Sequence, residues 1–176
     1  MATLLVLTAI GADRPGLVEA LSRTVAEHGG NWLESRMSRL ANRFAGILLV
    51  SVPEANLAPL KEALLGMEAE GLRIAVEESG PDTTAPTCRT ARLELVGQDR
   101  AGIIREISEA LAQHRVSIDD LVTEVQSASW SGESLFQVRA ELRVPGEVRS
   151  DMLREVLENI GNELMVDITL NDLPTS

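Results

Sequence analysis

The residues with the clearest chemical potential stand in a short, glycine-flanked cluster that occurs twice. Gly11-Ala12-Asp13-Arg14-Pro15-Gly16 is matched 86 residues later by Gly97-Gln98-Asp99-Arg100-Ala101-Gly102. Each cluster follows an apolar run and precedes apolar residues at helical spacing: Leu17, Leu21 and Val25 in the first copy, Ile103, Ile107 and Leu111 in the second. The amides of a first helical turn, together with the positive end of the helix dipole, suit a carboxylate or another anion. On this reading Gly11 and Gly97 permit unusual backbone angles, Asp13 and Asp99 cap the helix, and Gly16 and Gly102 admit close approach by a ligand. Asn31 and Ser117 open the next strand in each copy and are expected near enough to add a polar side chain. The same residue types serve any tight strand-to-helix turn, so the cluster by itself leaves a ligand site and a structural turn both open.

Other chemistries find little support. His28 and His114, the two histidines, occupy matching positions at helix ends, where a cation complements the helix dipole. No Cys/His spacing of a zinc site, nucleophile elbow, Walker loop or dinucleotide fingerprint is present, so no metal, cofactor or catalytic set is expected. Cys88, the single cysteine, excludes an intrachain disulfide and fits a reducing compartment. Glu68, Glu70, Glu77 and Glu78 read as a solvated face. Trp130 is either an anchor for a partner or a lid on its own hairpin.

The elements that must hold these clusters also come in two copies. At the offset of 86, Ser22 matches Ser108, Ala26 matches Ala112 and His28 matches His114; farther on the offset is 92, with Phe44 matching Phe136 and Pro53 matching Pro145. A six-residue insertion, placed at Ser127–Gly132, accounts for the change and marks a hairpin tip. In the first copy strands are expected over 3–10, 32–40, 44–52 and 73–78. Its first helix is capped by Asp13, carries Pro15 in its first turn and is ended by Gly29-Gly30; the second carries Leu57, Leu60, Leu64 and Leu65 and stops near Gly71. The second copy reads the same way, with strands over 91–96, 117–126, 134–144 and 165–170 and helices over 102–113 and about Met152–Ile160. Each copy is therefore βαββαβ, an α+β ferredoxin-like arrangement with an antiparallel sheet and both helices on one face. Residues 1–79 form the first domain, 80–87 a polar linker containing prolines, and 88–176 the second domain.

The sheet faces away from the helices differ. In the second copy Gln137, Arg139, Glu141 and Arg143 alternate with apolar residues, as do Arg92 and Glu94, which describes a wet, charged face. In the first copy Ile47 and Leu49 lie opposite Leu48 and Val50, and Leu4 to Leu7 is apolar on both sides. Leaving about four such side chains in water forgoes roughly 1.5–3 kcal/mol each. The first sheet is accordingly expected to pack on something, most simply a second copy in a homodimer; the alternative is packing within the chain, against the second domain or the linker.

The chain has 176 residues, 44% of them hydrophobic, with two Trp, two Phe and no Tyr, so its core is aliphatic. A net charge of −11, from 27 acidic against 16 basic residues, argues against direct nucleic-acid binding and against anionic membrane surfaces. The apolar start is too short for a membrane span and lacks the flanks of a signal peptide, so a cytoplasmic location is expected.

The doubled motif on a doubled frame resembles a tandem ACT-domain protein and, within that group, the glycine cleavage system transcriptional repressor family. The resemblance rests on Thr8-Ala9-Ile10-Gly11-Ala12-Asp13-Arg14-Pro15-Gly16-Leu17-Val18 and on Leu95-Val96-Gly97-Gln98-Asp99-Arg100-Ala101-Gly102-Ile103-Ile104, and it spans residues 3–172. It implies binding of a small amino acid, glycine or serine first, at interfaces between domains. The residues implied are Gly11, Ala12, Asp13, Arg14, Gly16 and Asn31, with Gly97, Asp99, Arg100, Gly102 and Ser117 in the second copy. It further implies a regulator that is not an enzyme and that contacts a transcriptional activator without touching DNA. A regulatory subunit of an amino-acid biosynthetic enzyme would use the same fold and ligand, so the protein partner is an activator or a metabolic enzyme. Ser117 is shorter than Asn31, and Arg115-Val116 replace Gly29-Gly30, so the second site is expected to be altered or unused.

Overall fold

A computed structural model describes residues 1–80, 87–127 and 134–174. The chain divides into two compact units, Met1–Thr83 and Thr84–Ser176. Of the expected linker only Gly80 and Thr87 are described, and of the expected insertion only Ser127; Trp130 lies outside the described residues.

In the first unit β1 (Ala2–Ala12) leads to α1 (Leu17–Glu27), then β2 (Asn31–Leu40), β3 (Arg43–Pro53), α2 (Leu57–Gly66) and β4 (Leu72–Ser79). Short 3-10 turns, Glu54–Asn56 and Met67–Glu70, flank α2. The sheet order is β2-β3-β1-β4, antiparallel at every pairing. The second unit repeats this with β5 (Cys88–Gln98), α3 (Ile103–Gln113), β6 (Ser117–Ser127), β7 (Ser134–Pro145), α4 (Ser150–Leu164) and β8 (Val166–Asp172), in the order β6-β7-β5-β8. The expected βαββαβ pattern is thus present twice.

Period-two patterning decides which side chains the helices cover. Leu5, Leu7 and Ala9 of β1 and Leu48, Val50 and Val52 of β3 are buried against Leu17, Leu21 and Val25 of α1 and Leu60 and Leu64 of α2. In the second unit Ala91, Leu93, Leu95, Val138, Ala140 and Leu142 meet Ile103, Ile107 and Leu111 of α3 and Leu153 and Leu157 of α4. Among the described residues no polar or charged residue is buried, so both cores are purely aliphatic apart from Phe44 and Met67.

The turns use their residues for identifiable reasons. Ala41 and Asn42, both at positive φ (46° and 62°), make a two-residue turn between β2 and β3, whose backbone twist matches that of the strands. Gly29 (φ 68°) follows α1, and Arg115 (φ 57°) is held in the same left-handed conformation after α3, where a side chain costs more. His28 closes α1; its Nδ1–H donates to Thr24 O at 2.8 Å, while the Asn56 amide donates to His28 O at 2.9 Å. In the second unit Asp172 accepts from Ser150 Oγ at 2.7 Å and from Arg89 Nε at 3.0 Å, tying β8 to α4 and β5. The Ser150 hydroxyl, then the Arg89 guanidinium, hold the Asp172 carboxyl below its ordinary range. No helix among the described residues is long and apolar enough to cross a membrane.

Candidate functional site

The two clusters lie at the same place in each unit, the turn from the first strand into the first helix, but their residues play roles that differ from the expectation. Gly11 and Gly97 are still strand residues, paired with Phe44 and Leu72 and with Phe136 and Val166 respectively. They are glycines because of space: a Cβ on Gly11 would stand 2.5 Å from Gly71 O, and one on Gly97 would stand 2.2 Å from Val166 Cγ1. The unusual backbone angles belong instead to Gly16 (φ 91°) and Gly102 (φ 98°), around which a Cβ would meet little.

Helix capping also differs. α1 begins at Leu17 with Gly16 at its N-cap, and α3 begins at Ile103 with Gly102 there; neither has a side-chain cap. Asp13 and Asp99 stand too early in the turn, and Pro15 precedes the helix. Asp13 is instead held by Arg39 of β2, whose Nε lies 2.7 Å from its carboxylate, and by its own amide, which donates to Asn42 O at 3.0 Å. Arg14 Nη2 donates to Glu70 O at 2.6 Å, fastening the loop to the turn before β4. Ala20 N bonds Gly16 O at 2.9 Å, so the amides of Leu17, Val18 and Glu19 precede the first intrahelical bond and remain available to an acceptor. The second loop repeats the backbone, with Asp99 N to Ser134 O at 2.8 Å and Glu106 N to Gly102 O at 3.0 Å.

Asn31 and Ser117 are not beside these loops. Asn31 pairs with Ser51, which pairs with Leu4, whereas Gly11 lies seven residues along β1. At about 3.4 Å per residue the separation along the sheet is roughly 24 Å. Ser117 and Gly97 are equally far apart, because Ser117 pairs with Arg143 and Arg143 with Thr90. The cause is topological: α1 and α3 run back down the sheet before the next strand starts. A single small ligand cannot touch both the loop and the strand start of one unit.

Side chains missed by the sequence reasoning gather at the strand end that leads into the first loop. A concavity of 440 Å³ is lined by Ile10, Gly11, Arg43, Glu68, Gly71 and Arg73. Sheet pairing puts Arg43 across from Ala12 and Arg73 across from Ile10, with Arg73 Nε 3.3 Å from Glu68 Oε1. At the corresponding places the second unit has Leu135, across from Gln98, and Asp167, across from Val96. The position of Arg39 is taken by Val125. At these three positions the loop end of the first unit carries arginines and that of the second does not, although Arg105 stands in the first turn of α3 where α1 has Glu19. Among the described residues no group of three or more His, Cys, Asp or Glu is placed to hold a metal.

Two ferredoxin-like units, each with a glycine-started helix and an uncapped first turn, define the class of fold, and known proteins share it. Residues 3–77 match the ACT domain. A UPF0237 protein of Methanopyrus kandleri is 39% identical over 77 residues, 44% of this chain and 79% of that protein. The glycine cleavage system transcriptional repressor of Escherichia coli K12 is 24% identical over 169 residues, 95% of this chain and 88% of the repressor. An unknown protein from Galdieria sulphuraria superposes with a TM-score of 0.85 at 26% identity, covering 99% of this chain and all of that one. A candidate glycine cleavage system repressor does so at 0.74 and 22% identity over 99% of both chains. The chain belongs to the ACT-domain family.

Proposed function

We propose that this chain is an amino-acid-responsive regulator of the glycine cleavage repressor type, which takes a small amino acid, glycine or serine, at the loop of its first unit and acts through protein contact. The uncapped first turn of α1 behind Gly16 carries this reading. The amides of Leu17, Val18 and Glu19 suit an α-carboxylate, and Arg43, across from Ala12, offers a cation at the same end of the sheet. Asn31 lies at the far end of the sheet, and Glu68, on the concavity with Gly11 and Arg43, offers a carboxylate to the ligand's ammonium. The likeness to the Escherichia coli repressor over nearly the whole chain supports a regulatory role. A net charge of −11 favours a protein partner, such as a transcriptional activator, over DNA. Calorimetric titration of the full chain with glycine and with serine, repeated on Arg43→Ala, tests the reading. Saturable binding of either, weakened by the substitution, is expected; no heat from any amino acid would overturn it.

A further inference from the structure

The helix-free face of the first sheet is built unlike that of the second. Sheet pairing arranges it in levels across the strands: Glu34, Leu49, Val6 and Glu77 share one, Arg36, Ile47, Thr8 and Ala75 the next, and Ser38, Ala45, Ile10 and Arg73 the third. The two inner strands thus present an apolar stripe, on which Ile47 is 50% and Ile10 47% exposed. Val6, Ile47 and Leu49 line a 280 Å³ concavity there together with Glu34 and Arg36. The same positions in the second unit carry Arg92 across from Glu141 and Glu94 across from Arg139.

We propose that this face is the contact between two copies of the chain, packed sheet on sheet about a two-fold axis that runs across the strands and passes between the levels of Glu34 and Arg36. A two-fold interface must be complementary to itself, and this axis makes it so. It lays Glu34 over Arg36 of the partner subunit and Arg36 over Glu34 of the partner subunit. Leu49 then covers Ile47 of the partner subunit, Leu4 covers Ile10 of the partner subunit, and Glu77 meets Ala75 of the partner subunit rather than another acid. The alternative two-fold, parallel to the strands, sets Glu34 over Glu77 of the partner subunit; moving the crosswise axis onto the Arg36 level sets two arginines together. Aligned sheets pack about 10 Å apart, a gap that facing Glu and Arg side chains bridge. Ile10 and Arg73 also line the concavity beside the first loop, so the interface borders that site, but its test reads assembly and not ligand binding.

The test is sedimentation equilibrium of the full chain as wild type, Glu34→Arg, Arg36→Glu, the doubly exchanged variant and Ile47→Asp, with circular dichroism confirming that each is folded. The wild type is expected to be a dimer. Each single exchange opposes like charges twice and raises the dimer dissociation constant at least about tenfold; the double exchange restores it to within about threefold. Ile47→Asp gives a monomer. A monomeric wild type overturns the proposal, as does a dimer indifferent to the charge exchanges or a double exchange no better than the singles. The exchanged positions are exposed, so the result does not depend on Ile47→Asp folding well.

Discussion

The two units share one frame and differ in what that frame presents. At one place on the helix-free face the first unit pairs Val6 with Leu49 and the second pairs Arg92 with Glu141, whose side chains approach to 3.4 Å. At the loop end the first unit carries Arg39, Arg43 and Arg73, where the second has Val125, Leu135 and Asp167. The helix-facing residues, by contrast, match almost one for one, because a βαββαβ unit needs the same aliphatic interior twice. The core is thus preserved while the surface differs, and the loop-end arginines and the apolar stripe on the inner strands of the helix-free face belong to the first unit.

The largest expected effect tests what the units share. If Gly11 and Gly97 serve packing, Gly11→Ala and Gly97→Ala each destabilise their unit by about 3 kcal/mol in chemical denaturation, with or without amino acid present. Gly16→Ala and Gly102→Ala cost only about 1–2 kcal/mol, the penalty of a left-handed Ala with nothing to clash against. Equal losses at all four glycines would dissolve that distinction.

The next tests what separates the units. Arg43→Ala weakens glycine or serine binding about tenfold in calorimetry, the loss of one charge-assisted contact, while Leu135→Ala leaves affinity unchanged. The reverse result would move the site to the second unit. Smaller still, Arg115→Gly restores to the second unit the residue type that follows α1 in the first, and raises its stability by up to about 1 kcal/mol in thermal unfolding.

The smallest effect is a pH dependence confined to the second unit. Because the Asp172 carboxyl is held below its usual range by Ser150 and Arg89, its ionised form is favoured in the folded state. Its contribution is therefore complete above the ordinary carboxylate pKa and is lost as pH falls through the lowered folded value. Urea midpoints of Asp172→Asn should trail the wild type at neutral pH and converge with it in acid; a constant gap at every pH would contradict this.

Much of this architecture was legible in the residue pattern. The recurrence of Gly-x-Asp-Arg-x-Gly, the alternation from Phe136 to Val144 and the helical spacing of Leu17, Leu21 and Val25 specify two βαββαβ units and their buried faces. The site was less legible, for reasons that are tertiary. Asp13 has the residue type of an N-cap, but Arg39, distant in sequence and brought close by the β2–β3 hairpin, takes its carboxylate, and Gly16 starts the helix. Arg43 and Arg73 reach the loop only through strand register, which a linear motif does not display. The separation of Asn31 from Gly11 follows from α1 running antiparallel to β1, a consequence of the topology rather than of either residue.

The most direct test of the central claim is a titration of the isotope-labelled full chain with glycine, and in parallel with serine, followed by amide nuclear magnetic resonance. Progressive, saturable shifts confined to Gly16 through Glu19 and to Arg43, with the amides from Gly102 to Ile104 unmoved, are the predicted result. Shifts centred on the second loop, or none at either loop with both amino acids, would contradict it.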